Sequence, residues 1–415
     1  MIATDVCIIG AGPAGAAAAL QLQQFNIPCV VVDKAVFPRD KICGDGLSGK
    51  VLTALNRIDK SIGERLCRFP AKEGSWGVTF SAPGRDSLDI AYQPDYTSHT
   101  KSGIPAGFVC KRIDFDNFLV EEMKRCAGIQ LFQGQAIDKY IKNEDGYLLT
   151  SADGAFSVKA KLVIVANGAH SSFTKEIANI HMEPQHYCAG IRAYYKGVTG
   201  LSSDGFIELH FLRSLLPGYF WIFPLPNGEA NVGISILSSV VRKRKMNLKK
   251  MLQEVITNDP VMKERFKNAE VVSAIEGYGL PLGSKRRVLS GERYMLAGDA
   301  AYLIDPFTGE GIGNALYSGR IAAQQAAACL KANDFSADIM KAYDAEVYRI
   351  LGPELRLSTK LQRLANKTWL FNFLMKTAMR NKQLRELMSC MFYEIDLRKK
   401  LAQPSFYVKM LLNRS

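Results

Sequence analysis

Near the start of the chain an apolar run, Thr4 to Ile9, meets a turn of three spaced glycines, Gly10-Ala-Gly12-Pro-Ala-Gly15. An alanine-rich stretch follows to about Phe25, then Pro28-Cys-Val-Val-Val-Asp33. Few folds accept so tight a turn between a strand and a helix. Gly10 permits the turn, Gly12 lets backbone come close to a pyrophosphate, and Gly15 lets the helix lie close on the strand. The helix N-terminus aims N–H groups and the positive end of its dipole at the phosphates. Asp33 stands where an acid accepts hydrogen bonds from an adenosine ribose. The unit reads as βαβ, with Gly10, Gly12, Ala14, Gly15, Asp33 and Lys34 expected to hold a dinucleotide.

One such turn does not separate NAD from FAD; a second glycine-rich segment does. It runs Met295-Leu-Ala-Gly298-Asp299, through Asp305-Pro306-Phe-Thr-Gly309-Glu-Gly311, to Ile312 and Gly313. This segment resembles the G-D motif of flavoprotein monooxygenases and geranylgeranyl reductases. The resemblance implies that Asp299, next to Gly298, holds the ribityl hydroxyls of FAD, and that Pro306, Gly309, Gly311 and Ile312 pass under the isoalloxazine ring. A helix starting near Gly311 would set its positive end beside the flavin pyrimidine, where negative charge develops on reduction.

Three more stretches resemble the geranylgeranyl reductase branch. Pro38-Arg-Asp-Lys41-Ile-Cys43-Gly44-Asp45-Gly46 is similar to its P-x-x-K-x-C-G-G loop, with Asp45 in place of the second glycine. Tyr219-Phe-Trp221-Ile-Phe223-Pro224, then Asn231-Val-Gly233, is similar to its Y-x-W-x-F-P and N-V-G signatures. Arg112-Ile-Asp-Phe115-Asp116 is similar to its helix start, which implies that Arg112 touches the cofactor. One departure stands out. Related monooxygenases carry a D-G pair and an Arg six residues on; here the positions are Asn167-Gly168 and Thr174, so Gly168 is retained for FAD while NADPH binding is disfavoured. Cys43, beside Lys41, is expected to have a lowered pKa and to act near the flavin as a proton donor or in positioning. Tyr219 and Trp221 are the other catalytic candidates, and with Phe223 and Pro224 they are expected to line an apolar substrate pocket.

The fold implied is α/β, like that of p-hydroxybenzoate hydroxylase. At 415 residues the chain exceeds one core, and 47% hydrophobic with 22% charged residues excludes disorder. A discontinuous Rossmann-like FAD-binding domain is expected from 1–75, 100–185 and 275–330. An antiparallel β-sheet substrate domain is expected from 76–99 and 186–274, and a helical C-terminal region from 331–415. Nine scattered cysteines without a C-x-x-C pair, and histidines that do not cluster, offer no metal site. The reading is a reduced, cytoplasmic enzyme without a secretory leader or a membrane-long apolar run.

The resemblance implies an FAD-dependent oxidoreductase that reduces carbon–carbon double bonds of an isoprenoid or lipid substrate by hydride transfer. Its electron donor is unidentified, ferredoxin-like or NAD(P)H. A monooxygenase or halogenase of the same fold, and a non-catalytic membrane-surface or redox-sensing flavoprotein, are the alternatives. The charge of +13 is uneven: residues 331 to 415 hold 16 Lys/Arg against 8 Asp/Glu. Residues 367 to 400 add Trp369, Leu370, Phe373, Met379 and Leu387 at helical spacing, with basic residues up to Arg398, Lys399 and Lys400. That pattern suits an anionic membrane surface at the inner face of the membrane. No nucleic-acid-binding module is recognisable.

Overall fold

The structure is a computed structural model, and it describes residues 1–92, 103–381, 384, 385 and 389. Its first sheet grows from the βαβ unit. Strand Ile2–Ile9 lies between Cys29–Val32 and Ser157–Val165, parallel to both, with Val6 opposite Cys29 on one side and Leu162 on the other. Ile129–Phe132 and Tyr294–Leu296 extend the parallel set outward on the two sides. Central parallel strands are covered on both faces, so they read as unbroken apolar runs such as Val163-Ile-Val165. A meander, Ile137–Asn143 with Gly146–Ser151, pairs antiparallel onto Ser157–Val165.

Helices Pro13–Gln24 and Ile312–Ala332 cross on this sheet almost backbone to backbone. A Cβ on Gly319 would lie 2.0 Å from the Ala14 carbonyl oxygen. Only a bare residue at the crossing lets the second glycine-rich segment approach the first.

The second sheet is mostly antiparallel, in the order Glu270–Val271, Tyr187–Lys196, Glu229–Leu237, Tyr219–Pro224, Ile207–His210, Gly77–Ser81, Ser87–Ala91. Ile207–His210 and Gly77–Ser81 form its parallel pair, and Glu276–Pro281 pairs with Tyr187–Lys196. Alternation sorts the side chains. Tyr219, Trp221 and Phe223 join one cluster with Leu209 and Phe307, while Phe220 and Ile222 join another with Leu252 and Phe266. Helices Ala337–Ile350, Gly352–Ala365 and Thr368–Arg380 follow, the last burying Phe371, Met375 and Ala378 in the first of those clusters. No helix among the described residues is long and apolar enough to cross a membrane.

Candidate active site

The two sheets and the second glycine-rich segment enclose one cavity of about 710 Å³. Its first wall is the end of strand Ile2–Ile9. Gly10 has φ +105°, and a Cβ there would sit 2.4 Å from the Ala166 carbonyl oxygen. Gly12 caps helix Pro13–Gln24 without any side-chain bond to the first-turn N–H groups. A Cβ on Gly12 would meet only Arg39 Nη2, at 3.7 Å. This leaves an open cradle of backbone donors faced by a guanidinium, which fits a pyrophosphate. Asp33 accepts from Ala11 N at 2.7 Å through one oxygen and from Ala35 N at 2.8 Å through the other. Each oxygen keeps a lone pair for a further donor, and Lys34 and Ala14 line the cavity beside it. Gly15 lies outside the lining: its hydrogen faces the Gly10 carbonyl, 1.8 Å from where a Cβ would stand.

The second wall is the loop over residues 38 to 46, laid against the second sheet. Gly44 rests on an aromatic face, since a Cβ there would be 3.1 Å from the Phe223 ring. Asn231 Nδ2 donates to the Cys43 carbonyl at 2.8 Å and to Asp45 Oδ2 at 2.7 Å, while Trp221 Nε1 donates to Asn231 Oδ1 at 2.9 Å. Tyr194 Oη also donates to Asp45 Oδ2, at 2.9 Å. Asp45 is fully buried with φ +67°. Burial pushes its carboxyl up to about 6, against the pull of the Asn231 and Tyr194 hydrogen bonds.

Cys43 departs from expectation. Cys43 lines the cavity and is half-buried, and burial pushes its pKa up, outweighing the Arg112 guanidinium. Lys41, expected to lower it, has its ammonium 2.8 Å from Asp299 and acts on the thiol only weakly. Cys43 therefore stays a protonated thiol at neutral pH. Arg112 makes a bidentate pair with Asp116, both bonds 2.7 Å, and Arg39 reaches the same carboxylate at 2.6 Å.

The third wall is the second glycine-rich segment. Gly298, Asp299, Gly309, Gly311 and Ile312 line the cavity with Gly168. Tyr219 Oη donates to the Thr308 carbonyl at 2.7 Å, and a Cβ on Gly309, at φ +74°, would stand 2.5 Å from that hydroxyl. Pro306 and Pro224 lie outside the lining; the Pro306 carbonyl accepts from Gln362 Nε2 at 2.7 Å, and Pro224 ends its strand. Asn167 Oδ1 is buried at the cavity with no hydrogen-bond partner among the described residues, an acceptor that a cofactor donor would fill. Thr174 is buried and bonds the Ala300 carbonyl at 3.0 Å, so no cation stands at that position.

Sequence reasoning passed over several lining residues. Arg192 is 1% exposed, stacks on the Tyr194 ring at 4.4 Å and pairs with Asp40 at 2.6 Å. A lone arginine inside the apolar run Tyr187 to Tyr195 was its signal, because buried charges need partners. Glu310, buried between two glycines, gave no such signal, since an acid at a helix start is ordinary.

A family model described as FAD binding domain matches residues 3–350. The menaquinone reductase of Mycobacterium tuberculosis is 30% identical over 330 residues, 77% of this chain and 76% of that protein. The digeranylgeranylglycerophospholipid reductase of Methanoculleus marisnigri is 29% identical, over 82% and 81% of the two chains. Among solved structures, a geranylgeranyl bacteriochlorophyll reductase-like protein from Thermoplasma acidophilum superposes with a TM-score of 0.79 at 23% identity, over 97% of this chain and 99% of that one. A flavin-dependent brominase superposes with a TM-score of 0.74 at 20% identity, over 94% and 93%.

Proposed function

The chain belongs to the FAD binding domain family, in its geranylgeranyl reductase branch, and is an FAD-dependent oxidoreductase; from this we propose that it saturates carbon–carbon double bonds of a polyprenyl lipid. The observation that carries this reading is the placement of Tyr219, Trp221 and Phe223 on the same cavity as both glycine-rich segments. An apolar chain entering there lies along an aromatic wall and against the cofactor cradle. The names of its relatives, reductases of menaquinone and of a digeranylgeranyl lipid, support the same class.

Reduced FAD, when bound, supplies a hydride. The chain's residues supply the rest. An isolated alkene has no carbonyl to polarise, so catalysis rests on position, worth up to about 7–11 kcal/mol. Trp221 is held by Asn231 and Tyr219 by the Thr308 carbonyl, so both rings are fixed rather than adaptable. Cys43, a neutral thiol on a loop clamped by Asn231, sets where the reacting carbons lie. Asn167 and Thr174 leave no charged seat for an NADPH phosphate, which favours a ferredoxin-like electron donor.

The test is anaerobic reoxidation. The flavin is reduced with dithionite, excess reductant is removed and a polyprenyl lipid is added. Recovery of the oxidised flavin band, with a product heavier by two hydrogens, is the expected result. Cys43→Ser is expected to keep FAD and lose most of that rate. A second reading as a halogenase or hydroxylase draws on the brominase-like fold and on Tyr219-x-Trp221-x-Phe223-Pro224. Turnover that requires oxygen, and halide or hydroxyl in the product, would replace the reductase reading with that one.

A further inference from the structure

Behind the cavity wall at Gly309 to Gly311 lies a buried cluster that the cofactor site does not use. Glu310 lines the cavity with its side chain only 7% exposed. Its Oε1 accepts from Gly313 N at 2.7 Å and from Ser48 Oγ at 3.4 Å, while Oε2 has no hydrogen-bond partner among the described residues. The ammonium of Lys50, itself 5% exposed, lies 3.9 Å from that Oε2. Lys50 also bonds Glu354 closely and Asn314 Oδ1 at 3.4 Å. Glu354 is 14% exposed, so the row Glu310, Lys50, Glu354 leads from the cavity toward the outside. Asp305 adds a third buried carboxyl, whose Oδ2 has no hydrogen-bond partner among the described residues, and the charge of Glu310 acts on the buried Tyr92 phenol.

Three carboxyls face one ammonium, a net charge of −2 if all were ionised. A buried site does not sustain that imbalance and holds a proton instead. Burial raises both Glu310 and Glu354, the latter to about 7, with Lys50 opposing the shift in each. Burial lowers Lys50, but Glu354 and Glu310 outweigh it and keep the ammonium charged.

We infer that Glu310 is the acid that protonates the substrate, and that Lys50 and Glu354 restore its proton from the outer side of the cluster. This rests on the reductase reading. One alkene carbon takes the hydride from reduced flavin and the other takes the proton from Glu310. The π bond breaks, two C–H bonds form, the flavin is oxidised by two electrons and Glu310 is left as a carboxylate. Lys50 then gives it a proton and takes one from Glu354, which re-equilibrates with water. A closure of about 1 Å between Lys50 and Oε2 reaches hydrogen-bond distance.

Glu310→Gln keeps the volume and the acceptor for Gly313 N. Its FAD content and its reduction by dithionite are expected to match the parent, while reoxidation by a polyprenyl lipid slows on the order of a hundredfold. Parental reoxidation in this variant overturns the inference. Glu354→Gln, which leaves Glu310 in place, is expected to slow successive turnovers more than the first and to move the pH profile. A readout without flavin or substrate is the infrared carbonyl band of a protonated carboxylic acid at neutral pH in FAD-free protein. It is expected in the parent, weakened in Glu310→Gln and Glu354→Gln, and strengthened in Lys50→Met, where the opposing charge is gone. A parent that shows the band but reduces no polyprenyl lipid overturns the substrate reading and leaves the proton store standing. A parent that turns over without the band overturns the store.

Discussion

Asp45 occupies a backbone conformation that favours glycine, and it is fully buried. Strain of this kind costs of order 1–3 kcal/mol and persists where the surroundings over-determine it. Here Asn231, Tyr194 and the Arg112 N–H all donate to its carboxylate, the last at 3.2 Å. The carboxyl still titrates near 6, above the 3.8 of an unperturbed aspartate, because burial outweighs those bonds. A raised native value means that the group's stability contribution is full below about pH 4 and lost as pH climbs through 6. The two-unit gap corresponds to about 3 kcal/mol. Asp45→Asn, which does not titrate, is therefore expected to gain on the parent by up to about that much between pH 4 and pH 7. Denaturant melts of both proteins across that range check it; a difference independent of pH would show that Asp45 is not perturbed. The departure from glycine was visible in the sequence. Its consequence was not, because it depends on donors 67 to 186 residues away in the chain.

Helix Thr368–Arg380 carries two apolar faces. Phe371, Met375 and Ala378 are buried, Phe371 with its ring centroid 4.9 Å from that of Phe211. Trp369 and Phe373, one turn apart, are 72% and 61% exposed, and Met379 is also exposed. The apolar spacing of this stretch thus resolves into a packed seam and an open one. Leu387, Arg398, Lys399 and Lys400 lie outside the described residues. Lys367 and Arg380 bracket the open seam, a pattern suited to an anionic bilayer surface, with each cation worth about 1 kcal/mol there. Cosedimentation with vesicles of anionic phospholipid is expected to fall about fivefold for Arg380→Glu and to fall further for Trp369→Ala with Phe373→Ala. Binding equal to that of neutral vesicles, or unchanged in the variants, would assign the seam another role. By contrast, the common side of Tyr219, Trp221 and Phe223 was legible in the sequence, since period two sends every second ring of a strand to one face.

At the scale of the molecule, the cavity belongs to neither sheet. Its walls come from the ends of the parallel strands, from the antiparallel sheet and from the segment before helix Ile312–Ala332. A ligand that touches all three stabilises the native chain by mass action, about 2.7 kcal/mol when free FAD is a hundredfold above its Kd. Protein stripped of FAD is expected to melt at lower temperature and to recover with rising FAD, the midpoint climbing with the logarithm of concentration. A midpoint indifferent to FAD would separate the cofactor site from the fold's stability. The βαβ unit, both glycine-rich segments and the strand alternation could be read from the chain alone, because each depends on neighbours within about twenty residues. Only the tertiary structure decided the state of Cys43: local charge argued for a lowered pKa, but enclosure by the second sheet raises it. It alone also brought Glu310 and Glu354, 260 and 304 residues beyond Lys50 in the chain, to the Lys50 ammonium. Burial and long-range charge are properties of the folded surroundings, and no local pattern encodes them.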